Sequence, residues 1–229
     1  PAGSATQRKG RLLDREEILV IGLGRFGRSL AKTLVELGHE VMGVDADADS
    51  VQAATRDLQH VVQVDATDID AMRDLGAADF ETAVVAIGSD TEASIIASYV
   101  LVDLRVPRIW AKAITSAHGA ILERVGAHRV VFPERDMGIR VAHTLTGRTI
   151  DYLELDPHFA LVETPAPREV IGKPLRKAEI RSRWGLTVVC VKQGEGNFTY
   201  ATPDTILREG DLLVVAGEPR KAEEFASLD

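Results

Sequence analysis

Short apolar runs alternate with helical stretches between Glu17 and Phe132. Several of these runs are apolar at consecutive positions, which is typical of strands buried on both faces of a parallel sheet. The candidate strands are Ile18–Ile21, Val41–Val44, Val61–Val64, Ala83–Ile87, Ile109–Ala111 and Val130–Phe132. Six strands with helices between them predict an α/β fold over residues 16–133, a Rossmann-like doubly wound parallel sheet.

Helical periodicity supports this order of elements. The first helix has an apolar face, formed by Phe26, Leu30, Leu34 and Leu37. These residues are spaced by four, four and three positions, and Gly38 supplies a C-terminal stop. Asp90 opens a longer helix, which Pro107 closes. The helices therefore fall where a doubly wound sheet needs them.

The pattern changes after Phe132. Pro133 begins a helix with a single apolar stripe, formed by Met137, Val141 and Leu145, that runs to Gly147. A helix after the last strand of a sheet either packs on its own sheet or reaches out to a partner, and the sequence leaves both open. We place this connecting helix at residues 134–149.

The rest of the chain predicts a smaller α+β domain at residues 150–229. Strand-like runs reappear at Tyr152–Leu155, Phe159–Glu163, Leu186–Val191 and Leu212–Ala216. The glycines of residues 194–197 predict a hairpin turn between two of these strands, and residues 219–228 predict a short helix. Residues 1–15 are polar and predict a flexible tail.

Composition narrows the class of protein. The 229 residues carry 27 Lys and Arg against 35 Asp and Glu, and this net charge of −8 argues against nucleic acid and anionic membrane surfaces as partners. No run approaches the ~20 apolar residues that span a bilayer, so we expect no direct membrane insertion. The single Cys190 excludes a multi-cysteine zinc site and indicates a reducing, cytoplasmic compartment.

The segment Gly22–Gly27 is a complete G-x-G-x-x-G motif. It follows the first strand and opens the first helix, which is the context that gives the motif its meaning. Gly22 permits a tight turn, Gly24 lets a pyrophosphate approach the backbone, and Gly27 allows close packing of helix on strand. Amides at the helix start then bind phosphate oxygens. The motif predicts a nucleotide site, with Phe26 among its contacts.

Acidic residues follow the second and third strands. Asp45 ends the second strand, where a carboxylate accepts hydrogen bonds from both ribose hydroxyls and repels a 2′-phosphate. Asp47 is a further candidate contact, with a solvated helix-start carboxylate as the alternative. The segments Asp65-Ala66-Thr67 and Ile87-Gly88 lie at strand ends where an adenine edge would sit. An adenine nucleotide is predicted, and its identity stays open.

Arg25 adds a cation inside the glycine loop, beyond what a pyrophosphate requires. This charge suits a terminal phosphate, as in ADP or ATP, and the alternative is an arginine that points to solvent. Enzyme signatures such as H-E-x-x-H, G-x-S-x-G or a Tyr with Lys four residues on are missing. The balance favours a sensor over a catalyst, and a small NAD-dependent oxidoreductase is the alternative.

Five segments together resemble the RCK (KTN) regulators of bacterial potassium transporters. They are Val20–Gly27, Gly38–Val41, Val85–Gly88, Ile109–Ala113 and Pro133–Gly138. The similarity extends from about Glu17 to the C-terminus. It implies an RCK N-terminal domain, a crossover helix exchanged between subunits at 134–149, and an RCK C-terminal domain.

The resemblance also implies an assembly and a task. Members of the family form homodimers that build octameric rings under a membrane potassium-translocating subunit of the KtrB or TrkH type. Such a regulator is cytoplasmic and peripheral to the inner face of the membrane. ATP and ADP, or NAD(H) in some relatives, change the shape of the ring. A regulator of a different cation channel or exchanger is the neighbouring alternative.

The same match implies roles for individual residues. Arg25 would contact the terminal phosphates, from a neighbouring subunit, Asp45 the ribose, and Lys112 would lie near the nucleotide. Glu134 would help to hold Mg²⁺ or another divalent cation between ATP sites. The C-terminal domain would bind cyclic di-AMP at its dimer interface, with Ile180 and Arg181 as contacts.

Overall fold

The chain divides into two compact units between Pro133 and Glu134. The computed structural model describes residues 15–145 and 148–228. The tail predicted over residues 1–15 therefore lies outside the described residues except for Arg15. Among the described residues, no helix combines the length and the apolar character that a membrane crossing requires.

The first unit is a parallel sheet in the order β3-β2-β1-β4-β5-β6, which confirms the predicted doubly wound fold. Its strands are β1 (Glu17–Ile21), β2 (Glu40–Asp45), β3 (His60–Gln63), β4 (Thr82–Val85), β5 (Arg108–Lys112) and β6 (Arg129–Val131). Its helices are α1 (Arg25–Glu36), α2 (Ala48–Ala54), α3 (Ile69–Asp74), α4 (Thr91–Asp103) and α5 (Ser116–Val125). All six predicted strands are present.

Alternate residues of β1 enter two different cores, which explains its unbroken apolar run. Leu19 and Ile21 pack with α4 and α5 on one face, whereas Ile18 and Val20 pack with α1 and α2 on the other. Successive side chains of a strand point to opposite faces, so a strand covered on both sides needs apolar residues at every position. Burial on both faces therefore accounts for the apolar run.

One face of the first sheet keeps an apolar groove beside α1. The groove has a volume of about 560 Å³. Its apolar lining consists of Ile18, Phe26, Leu30, Leu34, Val84, Trp110 and Val131. We refer to these residues as the apolar groove.

The second unit is an antiparallel sheet in the order β10-β9-β11-β8-β7. Its strands are β7 (Asp151–Asp156), β8 (Phe159–Pro165), β9 (Thr187–Lys192), β10 (Phe198–Tyr200) and β11 (Leu212–Gly217). Its helices are α6 (Pro133–Leu145, of which Pro133 belongs to the first unit), α7 (Leu175–Ala178), α8 (Ile180–Trp184) and α9 (Pro219–Ala226). Tyr152, Val162, Leu213 and Phe225 meet in its core.

Two expectations for the second unit need correction. The turn at residues 194–197 leads from β9 to β10, a strand that the sequence did not predict, because its three residues are all exposed. The helix predicted at 134–149 begins at Pro133 and is helical to Leu145. Residues 148–149 are not helical, and 146–147 lie outside the described residues.

His118 is a buried, weakly hydrogen-bonded side chain near the start of α5. Its Nδ1 accepts a bond from the Ile114 amide at 3.4 Å, and its Nε2 has no hydrogen-bond partner among the described residues. Burial lowers the pKa of His118, because the imidazolium would lose its hydration. The folded state therefore favours the neutral ring.

This burial predicts acid sensitivity of the first unit. Because the folded pKa of His118 lies below the unfolded value of about 6.5, its contribution to stability is complete above pH 6.5 and is lost as the pH falls through the folded pKa. His118→Gln should reduce the loss of unfolding free energy between pH 7.5 and 5.5. Trp110 fluorescence during urea denaturation, in a Trp184→Phe background, measures it. His60→Gln, at an exposed imidazole, should keep the wild-type pH dependence, and an unchanged dependence in His118→Gln would refute the prediction.

Candidate nucleotide-binding site

The candidate site lies where the carboxyl ends of β1, β2, β4 and β5 meet. In a doubly wound sheet, ligands bind at this edge, beside the point where the strand order reverses. The strand order places that point between β1 and β4. The Gly22–Gly27 loop leaves β1 here, with Ile87 and Gly88 beyond β4 and Lys112 at the end of β5.

The three glycines of the loop have three different surroundings. Gly22 has a φ of +93°, and a Cβ there would lie 2.9 Å from the Ile87 amide nitrogen. A Cβ at Gly27 would lie 1.8 Å from the Gly22 carbonyl oxygen, so the start of α1 packs directly on the strand end. A Cβ at Gly24 would meet nothing within 4 Å. Gly24 is thus the open position of the loop, as the predicted approach of a phosphate to the backbone requires.

The first turn of α1 has amides available for an anion. Its N-cap is Gly24, and within the described part of the chain no side chain caps it. The first amides of a helix have no partner inside the helix, and the helix dipole adds positive potential there. The twelve-residue helix therefore points free N–H groups at the open side of Gly24.

Asp45 holds the glycine loop in place. Its Oδ2 accepts a hydrogen bond from the Leu23 amide at 2.6 Å, and its Oδ1 accepts one from the Asp47 amide at 2.9 Å. Each carboxylate oxygen has a second lone pair, so the group can still accept from ribose hydroxyls. The spacing along the sequence indicated the ribose role, but only the fold shows that the same carboxylate fastens the loop.

Asp47 has a structural partner of its own. It is the N-cap of α2, and its Oδ2 accepts from the Ser50 hydroxyl at 2.8 Å and from the Ser50 amide at 3.0 Å. The side-chain bond from Ser50, with the backbone bond, lowers the pKa of Asp47. The structure thus places Asp47 in the alternative role, as a helix-start carboxylate, and a nucleotide contact stays a prediction.

The segment after β3 is a turn closed by hydrogen bonds between Asp65 and Thr67. Asp65 Oδ1 accepts from the Thr67 hydroxyl at 2.7 Å and from its amide at 2.9 Å, and these bonds lower the pKa of Asp65. Ala66 is buried in the core of the first unit. The side chain of Ala66 therefore faces the protein, which leaves its backbone as the part available to a base.

Lys112 brings a cation close to the loop. It is only 7% exposed, and its Nζ lies 5.5 Å from the centre of the Phe26 ring. A Cβ at Gly88 would lie 2.8 Å from this Nζ, so glycine at position 88 makes room for the lysine. The sequence marked both residues but did not show that they touch.

Arg25 and Glu134 are exposed residues at the starts of two helices. Arg25 is the first residue of α1 and forms no ion pair with any residue that the structure describes. Glu134 lies in the first turn of α6 and belongs to the second unit. Within residues 15–145 and 148–228, no group of three or more His, Cys, Asp or Glu is arranged to hold a metal. The cation site at Glu134 stays a prediction.

The second unit has a groove of its own, with a volume of about 700 Å³. Ile180 and Arg181 line it with residues of α7, β9 and the segment 201–203. Ile180 is packed in the core, whereas Arg181 is exposed and forms no ion pair with a described residue. Glu179, between α7 and α8, has a φ of +52°, an unusual conformation for a non-glycine residue. We refer to the groove lined by these residues as the C-terminal groove.

Comparison with known proteins matches two family models to the chain, one on each unit. The model of the TrkA-N domain matches residues 18–133, and that of the TrkA-C domain matches residues 159–228. The Ktr system potassium uptake protein A of Bacillus subtilis (strain 168) is 35% identical over 217 residues, which are 94% of this chain and 97% of that protein. Protein C of the same system is 36% identical over 212 residues, which are 92% and 96% of the two chains.

Solved structures confirm the fold. The GsuK RCK domain superposes with a TM-score of 0.66 at 22% identity and covers 93% of this chain, which spans about half, 48%, of that one. The GsuK channel bound to NAD has a TM-score of 0.64 at 22% identity, over 94% of this chain and 40% of that one. The chain therefore belongs to the RCK (KTN) family, in its KtrA-type group, with a TrkA-N domain followed by a TrkA-C domain.

Proposed function

We propose that the chain is a nucleotide-sensing regulatory subunit of a potassium transporter. One observation carries the proposal: the first turn of α1 has uncapped amides at the open position of Gly24, and the buried Lys112 lies over the Phe26 ring of the same turn. The chain is about 35% identical to potassium uptake proteins over nearly its full length. In such a chain, this site supports a nucleotide sensor that gates a membrane subunit of the KtrB or TrkH type.

The preferred ligand is ATP or ADP. Asp45 accepts ribose hydroxyls and repels a 2′-phosphate, which disfavours NADP(H). Lys112 and Arg25 add positive charge beside the phosphates, and a terminal phosphate uses this charge better than a dinucleotide pyrophosphate does. NAD(H) is the competitor to test, because NAD is bound in the related GsuK channel.

A divalent cation would complete the ATP-bound state. Mg²⁺ is bound by one or two carboxylates together with phosphate oxygens, so the single carboxylate of Glu134 suits a cation that the nucleotide also holds. A ligand shifts an equilibrium only by its different affinity for the two states. The γ-phosphate contacted by Arg25 from a neighbouring subunit supplies that difference between ATP and ADP.

Arg25 is therefore expected to discriminate between the nucleotides. An ionic hydrogen bond contributes about 1.5–3 kcal/mol, so Arg25→Ala should raise the Kd for Mg-ATP roughly ten- to a hundredfold and change the Kd for ADP much less. Isothermal titration calorimetry with ATP, ADP and NADH, with and without Mg²⁺, measures this.

Lys32→Ala, two turns along the same helix, serves as the control and should leave both affinities unchanged. An equal effect of Arg25→Ala on ATP and ADP would overturn the role of Arg25. Binding of NADH without binding of ATP would overturn the ligand.

The connecting helix supports a homodimer. No residue of α6 is buried in the described chain, and its stripe of Met137, Val141 and Leu145 is exposed. An exposed apolar stripe of this kind indicates a protein partner. The partner we propose is a second copy of the chain. The stripe of each copy would lie against the apolar groove of the other. Four such dimers would form the octameric ring on the cytoplasmic side of the membrane subunit.

A charge in the stripe should separate the dimer. Val141→Glu is expected to raise the dimer dissociation constant by more than about tenfold, because the carboxylate would be buried in an apolar contact. Light scattering after size exclusion, at micromolar concentrations, reports the mass. Tyr99→Glu, at an exposed position of α4 outside both the stripe and the apolar groove, should leave the mass unchanged. A wild-type monomer, or an undisturbed Val141→Glu assembly, would contradict the proposal.

The C-terminal groove supports a second ligand, cyclic di-AMP. Arg181 is exposed at the groove and free of ion pairs among the described residues, whereas Arg176 is paired with Asp204. Arg181 is thus the cation available to a phosphate. Two copies of the groove would face the two halves of a symmetric dinucleotide.

Arg181→Ala is expected to weaken the binding of cyclic di-AMP by roughly tenfold or more, through the loss of an ionic hydrogen bond. The shift in melting temperature across a ligand titration measures it, with ATP titrated in parallel. Lys177→Ala, nearby but outside the groove lining, should bind as wild type does. A wild-type chain that ignores cyclic di-AMP, or an Arg181→Ala chain that binds it normally, would remove this part of the proposal.

A further inference from the structure

Helix α6 is attached to the second unit by two neighbouring side chains. The Arg140 guanidinium donates to both carboxylate oxygens of Asp151 in β7, from Nε to Oδ1 at 2.6 Å and through its second donor to Oδ2. One turn later, the His143 ring stacks on the Tyr152 ring, with the centroids 3.8 Å apart and the planes 17° from parallel. The Nδ1 of His143 also contacts the Glu223 carboxylate in α9.

The stripe proposed for the dimer does not take part in this attachment. At 100° per residue, Arg140 and His143 lie roughly 100° and 160° around the helix from Val141, the centre of the stripe. The three exposed apolar residues of the stripe can therefore meet a second copy while Arg140 and His143 hold α6 on the rest of the second unit.

The groups around His143 differ in how they respond to pH. Tyr152 is 3% exposed, and burial together with the nearby Glu154 and Glu223 charges raises its pKa to about 12. Its hydroxyl stays protonated and donates to Glu154 at 3.3 Å. The hydrogen bond between Arg140 and Asp151 raises the pKa of the first and lowers that of the second, so this pair keeps its charges.

Three elements contribute charged groups to this attachment. Helix α6 contributes Arg140 and strand β7 contributes Asp151, which pair with each other; β7 also contributes Glu154, bonded to the Tyr152 hydroxyl, and helix α9 contributes Glu223. Glu223 contacts the ring directly, and Asp151 is already neutralised by Arg140. The charge beside the ring is thus the carboxylate of Glu223, and imidazole is the side chain whose charge ordinarily changes between pH 5 and 8.

We propose that His143 holds the connecting helix on the rest of the second unit more firmly when its ring is protonated. The protonated ring forms an ion pair with Glu223 and holds α6 on β7 and α9. The neutral ring keeps the stacking on Tyr152 but loses the charge of that bond, so the helix is then held chiefly by Arg140. Protonation of His143 would thus change how firmly the connecting helix is held.

A role of His143 protonation in gating rests on the proposed function. The attachment of α6 through His143 does not, so it can be tested without nucleotide or transporter. Hydrogen–deuterium exchange of the full chain at pH 6.0 and 8.0, expressed as protection factors, reports how firmly residues 137–145 are held. The protection of α6 should be roughly two- to fivefold higher at pH 6.0, the size of a partly exposed ion pair.

Four variants separate the proposal from a purely structural role. His143→Gln and Glu223→Gln should each remove the pH dependence. Arg140→Gln should lower protection at both pH values and keep the ratio between them. His158→Gln, at another histidine of the second unit, should behave as wild type.

The proposal would be refuted if the protection of α6 in the wild type were equal at pH 6.0 and 8.0, or if the difference persisted in His143→Gln. Neither result depends on ATP binding, so a failure here is distinct from a failure of the nucleotide site.

Discussion

The candidate site depends on one close approach between backbone segments. The start of α1 lies so near the end of β1 that a Cβ at Gly27 would overlap the Gly22 carbonyl, and Gly22 itself lies against the Ile87 amide. Only residues without a side chain permit this distance. The approach sets the first turn of the helix at the open edge of the sheet, with its N-terminal amides uncapped by any described side chain.

The acidic groups and the positive groups around this edge have different roles. The acids at the strand ends mainly organise backbone: Asp45 fastens the glycine loop, Asp47 caps α2, and Asp65 closes the turn after β3. The buried Lys112 and the helix amides supply the positive potential. Acids held in this way leave the centre of the site suited to an anion, as a phosphate requires.

The sequence predicted most of the first unit because burial on both faces leaves a simple signal. Leu19 and Val20 enter opposite cores, so no polar residue interrupts the strand. The same logic failed for β10, whose three residues are exposed and carry no burial pattern. The extent of α6 was overestimated because its apolar stripe does not indicate where the helix stops, and none of its residues is buried in this chain.

The sequence by itself determined the fold class, the strand positions and the steric roles of Gly22 and Gly27, because each is a local property of spacing and side-chain size. Only the tertiary structure decided which distant side chains meet: Lys112 with Gly88, Asp45 with the Leu23 amide, and His143 with Tyr152 and Glu223. Such pairs depend on how elements far apart in the chain pack together. Periodicity records which face of an element is buried, but not what that face touches.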